Sequence, residues 1–94
     1  MYVRVVRFTG VTAERMQAVE DRVSAAGGPP PGVKSNGITF LYDAAQSSVV
    51  VLQRFETAAD MEEAAKILGA MDSNETPGVR ASIDACEVRL DLNV

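Results

Sequence analysis

An α+β domain built on one antiparallel sheet is the fold class that this sequence predicts, on three observations. The elements run strand, helix, strand, then strand, helix, strand. A short turn joins the two halves, as antiparallel neighbours require. The first and third strands carry apolar residues on both faces, which marks them as central. At 94 residues the chain reads as a single domain spanning 1–94.

Tyr2 to Phe8, YVRVVRF, is rich in β-branched and aromatic residues and stops before Gly10, so it reads as the first strand. Its faces are Tyr2/Arg4/Val6/Phe8 and Val3/Val5/Arg7, each mostly apolar with one arginine. Thr12 then caps a helix whose apolar stripe is Met16, Val19, Val23 and Ala26. Gly27-Gly28 ends that helix, and Pro29-Pro30-Pro31-Gly32 prevents its resumption, leaving GGPPPG as a stiff connector.

The second strand places Ile38, Phe40 and Tyr42 on one face and Thr39 and Leu41 on the other. Asp43 to Ser47 is the turn. Val49-Val50-Val51-Leu52 is apolar without alternation, as in a strand covered on both sides, and Gln53 and Arg54 mark its wetter end before Phe55. Thr57-Ala58-Ala59-Asp60 fits a reciprocal helix cap. The second helix carries Met61, Ala64, Ala65, Leu68 and Met71 on one face and Glu62, Glu63 and Lys66 on the other. Gly69 inside it should cost roughly 1 kcal/mol against alanine unless something packs closely there. Residues 72–78 read as a loop. Ser82 to Leu92 reads as the last strand, at a sheet edge, with Cys86, Val88, Leu90 and Leu92 inward and Glu87, Arg89 and Asp91 outward.

This order is the split β-α-β arrangement of ferredoxin-like folds. Right-handed crossovers place both helices on one face of a four-stranded antiparallel sheet of order 4-1-3-2. The other face, with residues such as Val50 and Leu52 or their alternates, is then an apolar patch of several hundred Å², more than a monomer usually exposes. A second copy related by a two-fold axis is the simplest cover.

Composition narrows the function. A net charge of −4, with scattered cations and only two lysines, Lys34 and Lys66, argues against nucleic acid and against a membrane-binding patch. No apolar run approaches the ~20 residues of a membrane helix, and no signal peptide is visible, so a cytoplasmic protein is expected. There is no histidine, and Cys86 is alone, so no intrachain disulfide and no His/Cys metal site is expected. Cys86 reads as an inert buried hydrophobe. Glu62 and Glu63 point roughly 100° apart on a helix and cannot share a metal or substrate.

The segments YVRVVRFTG, Pro31-Gly32-Val33, FLYD leading into VVVLQRFE, TAADMEEA and the alternating ACEVRLDL together resemble the dimeric α+β barrel superfamily, in particular its antibiotic-biosynthesis-monooxygenase-like group. The resemblance covers nearly the whole length. It implies a homodimer packed sheet against sheet, with any ligand lying in each protomer between helices and sheet. Haem-degrading members use an asparagine, a tryptophan and a histidine at positions that match Val6, Phe55 and Ala65 here, so the resemblance does not extend to haem and no cofactor is expected. Cofactor-independent monooxygenases of the group oxidise phenols or quinols that supply their own electrons, and need a few polar groups in an apolar pocket.

The candidates for such a role are Tyr42, Arg54 and Arg4, with Tyr2, Arg7, Asn36 and Asn74 behind them. Tyr42 and Arg54 lie on paired strands that allow them to face one another. The ordinary roles of these residues are ion pairs to Glu56, Glu87 or Asp91 for the arginines, a core-edge hydroxyl for Tyr42, and turn formation for the asparagines. The missing His and Trp lean the reading toward a structural protein or one that binds a small apolar or aromatic ligand. The alternatives are a cofactor-independent monooxygenase and a subunit lending its sheet to another partner. A cleft open between helices and sheet, lined by Tyr42 or Phe40 with a buried arginine, would favour the oxygenase.

Overall fold

The computed structural model describes residues 1–70 and 76–93. Its elements are β1 (Tyr2–Thr9), α1 (Ala13–Ala26), β2 (Gly37–Asp43), β3 (Ser48–Phe55), α2 (Ala58–Gly69) and β4 (Val79–Glu87). The four strands form one antiparallel sheet of order β2-β3-β1-β4, with β1 and β3 central, the expected order read from the other edge. The chain thus has the βαββαβ arrangement of ferredoxin-like folds.

Local chemistry starts both helices. Thr12 and Thr57 stand in extended conformation, and their hydroxyls accept from the amides of Arg15 and Asp60 at 3.1 Å. Gly27, at φ 69°, ends α1 in the left-handed conformation that glycine adopts without a Cβ penalty. Gly69 is the last residue of α2, and among the described residues nothing lies within 4 Å of where its Cβ would stand. At the hairpin, the carboxylate of Asp43 accepts from the Gln46 backbone at 3.2 Å and from its side chain at 2.7 Å, closing the turn.

The register decides which residues meet the helices. Opposed pairs across β1 and β3 are Tyr2 with Phe55, Arg4 with Gln53, Val6 with Val51 and Phe8 with Val49, and all point to the helical side. The core divides in two there. Val6, Phe8, Val49 and Val51 pack with Met16 and Val19 of α1, whereas Phe55 packs with Val33 and with Met61, Ala64 and Leu68 of α2. Val3, Val5, Val50 and Leu52 take the helix-free side and are half-buried there.

The last strand differs from its expected place. It runs Val79–Glu87, not Ser82–Leu92, and every residue in it is exposed. Its ladder with β1 ends where Glu87 lies opposite Tyr2, the first residue of β1, and Val88 donates to the Met1 carbonyl at 3.0 Å. Leu90 and Leu92 lie outside the sheet, 76% and 72% exposed, rather than inward. Cys86 is exposed opposite Val3 on the helix-free side, so its reading as a buried hydrophobe is also corrected. In α2, Ala65 is exposed and not part of the buried stripe, whereas Met71 and the greater part of the 72–78 loop lie outside the described residues.

Candidate functional site

The seam between the two halves of the core is polar. Arg4 and Gln53 form the one pair of the central ladder that interrupts the apolar rows, with Tyr2/Phe55 on one side and Val6/Val51 on the other. Above this seam the helices leave a cleft of about 780 Å³ between themselves and the sheet. Its body is apolar, from Val6, Val19, Val23, Phe40 and Val51, with Leu68 on the α2 side. The GGPPPG connector forms its rim through Gly28 to Pro31. The connector is held by Val33, which is buried in the α2 cluster, and by Ile67, whose Cδ1 sits 2.9 Å from where a Cβ on Gly32 would stand.

Arg4 is 5% exposed, and its partners are few. Nη1 donates to Gln53 Oε1 at 2.9 Å, while Nε is enclosed with no acceptor. Because arginine only donates, Gln53 presents its carbonyl oxygen to Arg4, and its amide nitrogen has no acceptor among the described residues. Burial and, after it, the nearby cation of Arg80 lower the Arg4 pKa. Guanidinium is so strong a base that the group still carries its proton and its charge. The ion pairs among the described residues are the exposed Lys66–Glu63 and Arg89–Glu87, so none neutralises Arg4.

The expected roles of the other candidates change. Arg54 projects from the helix-free side, where it donates to Thr39 Oγ1 at 2.8 Å, so it is outside the cleft. Tyr42 is opposite Val49 on the helical side, with its hydroxyl 3.5 Å from the Val11 carbonyl, and does not line the cleft. The two therefore stand on opposite faces and do not meet. Adjacent residues on paired strands alternate sides, and Gly37, not Tyr42, is the register partner of Arg54. Neither Arg4 nor Arg54 makes the ion pair expected of it. Tyr2 packs on the α2 cluster, Arg7 is exposed, Asn36 lines the cleft, and Asn74 lies outside the described residues.

Sequence reasoning missed Gln53, Arg22 and Arg80 as cleft residues, and the proline connector as a wall. One signal was present for Gln53. It is the only polar residue on the helical side of β3 between Val49 and Phe55, and antiparallel pairing sets it against the only polar residue amid the same face of β1.

No protein-family model, no curated protein and no solved structure matches the chain. Among the described residues no group of three or more His, Cys, Asp or Glu is placed to hold a metal ion. No helix of the described residues is long and apolar enough to cross a membrane.

Proposed function

We propose that this protein binds a small apolar or aromatic molecule in the cleft between its helices and its sheet. One observation carries the reading: the core is split into two clusters, and the space between them is open and apolar rather than filled by the protein's own side chains. Well-packed interiors leave few voids larger than a water molecule, whereas small-molecule sites are typically ~300–1,000 Å³. A neutral fluorescent probe, N-phenylnaphthylamine, should bind saturably at one site per chain. Val23→Trp, which fills the cleft from α1, should weaken that binding by about tenfold, the effect of losing ~1.4 kcal/mol. Unchanged affinity would put the probe on the helix-free sheet instead and sink this reading.

The reading includes a homodimer, as the resemblance to dimeric α+β barrels implies. Its support is the helix-free side, where Val3, Val5, Val50 and Leu52 form a half-buried apolar surface, Leu41 is 52% exposed, and β4 is uncovered along its length. Apolar surface of this kind is what a partner commonly covers, and a two-fold copy presents the same surface back. The absence of a membrane-spanning helix among the described residues fits a cytoplasmic protein.

The second reading, a cofactor-independent monooxygenase for phenols or quinols, is favoured by one feature: Phe40 and the buried Arg4 line the same cleft. Arg4 replaces Arg54 and Tyr42 as the candidate that would stabilise a substrate anion. Among the described residues the cleft has no carboxylate or histidine to take a proton, which is why binding is the preferred reading. If the chemistry takes place, a panel of hydroquinones consumes oxygen above background and Arg4→Met removes the excess. No consumption across the panel leaves binding alone.

A further inference from the structure

Charge in this molecule is distributed against its average. The chain has 13 acidic residues and 9 basic ones, yet among the described residues the cleft is lined by Arg4, Arg22 and Arg80 and by no Asp or Glu. Arg22 and Arg80 are exposed at its margin, where water solvates them. Arg4 is different, being enclosed, charged and without a counter-ion among the described residues. A buried cation with one neutral hydrogen bond is a costly arrangement, since little replaces the hydration it has lost.

We propose that the natural occupant of the cleft is an organic acid, with a carboxylate set against the Arg4–Gln53 seam and an aromatic or alkyl body along Val19, Val23, Phe40 and Val51. This rests on the cleft being a ligand site and names the class of ligand. Carboxylate is the complement of what the seam leaves unused. Among the described residues Nη2 of Arg4 has no acceptor and, unlike Nε, is not among the sealed atoms. The amide nitrogen of Gln53 is a second donor with no acceptor among the described residues. Hydrogen bonds from guanidinium to carboxylate are about twice as strong as neutral ones, and Arg80 adds its field without competing for protons. The hydrocarbon part then covers the apolar walls on both sides of the seam. A neutral molecule of the same shape would bury Arg4 further and leave it unpaired.

The test uses matched pairs: naphthoate, biphenylcarboxylate and decanoate, each against its own primary amide, titrated by calorimetry into the full chain. The expected result is that the acids bind about tenfold or more tightly than their amides, the worth of one charge-assisted bond. The preference should shrink in Arg4→Met, through weaker binding of the acids and tighter binding of the amides, and Arg54→Ala, on the far side of the sheet, should leave both unchanged. Without ligand, Arg4→Met should melt about 5 °C higher than the native chain, because it removes an unpaired buried charge; a lower melting point would make Arg4 a structural residue and overturn the proposal. Equal binding of acids and amides, weakened alike by Val23→Trp, would also overturn it while preserving the cleft as a site for neutral molecules. Binding of none of the pairs would overturn the proposal and the ligand-binding reading together.

Discussion

Phe55→Ala is expected to lower the stability of the fold by ~3–5 kcal/mol, measured by urea denaturation of the native and substituted chains. Phe55 has no exposed surface and stands at the centre of the cluster formed by Val33, Met61, Ala64 and Leu68, with Tyr2 packed beside it. It joins three parts of the molecule: the end of β3, the inner face of α2, and Val33 at the foot of the proline connector. Truncation removes the transfer energy of the ring and leaves a void beside a cleft that is already open. Neighbours that border empty space on one side have few contacts with which to close a second void. For a domain of this size, whose whole stability is ~5–15 kcal/mol, such a loss unfolds a large fraction of molecules near physiological temperature. A loss below ~1 kcal/mol would mean that α2 settles onto the sheet, and that the separation of the two clusters is soft.

Leu52→Asp is expected to halve the mass in solution, from twice 10.0 kDa to 10.0 kDa, while the chain stays folded. Leu52 lies opposite Val5 on the helix-free side and shares a register position with Thr39 of β2. A carboxylate there sits in water in a monomer at little cost, but in the proposed interface each copy would bury an unpaired charge near the symmetry axis, a penalty of several kcal/mol per ion. The adjacent residue gives the contrast. Val51 is buried in the α1 cluster, so Val51→Asp would unfold the protomer and say nothing of assembly. Light scattering coupled to size exclusion reads the mass, and circular dichroism confirms the fold. A Leu52→Asp chain that keeps the dimeric mass would remove the sheet-to-sheet interface from the account.

The sequence was an accurate guide wherever the deciding interaction is local. Thr12, Thr57 and Gly27 act on the amides and carbonyls within one turn of themselves, and the helices begin and end at them. The turn at Asp43–Ser47 is closed by a side chain three residues from its target. Strand order followed because crossover handedness leaves few ways to connect six elements, and because both-face apolarity singled out β1 and β3. The site was less legible. Arg4 and Arg54 are both arginines among apolar strand residues, and period-two alternation says that a strand has two faces without saying which face the helices cover.

The last strand shows where a pattern alone misleads. ACEVRLDL alternates without a break, so polarity extends the strand to Leu92, but a strand is made by hydrogen bonds to a neighbour, and those of β4 stop at Glu87 opposite Tyr2 and Val88 at Met1. The alternation runs on past the sheet, leaving Leu90 and Leu92 in the open.

By itself the sequence determined the element order, the caps, the hairpin, the strand order and the exclusion of histidine-based chemistry. Each depends on residue type or on partners a few positions away. Only the tertiary structure decided that Arg4 and Gln53 meet across the central ladder, that their seam parts the core in two, that the space above it stays open, and that Arg54 is outside it. Those facts depend on residues 49 positions apart in the chain being brought opposite each other in one register, and a shift of that register by one residue would exchange the two faces of the strand.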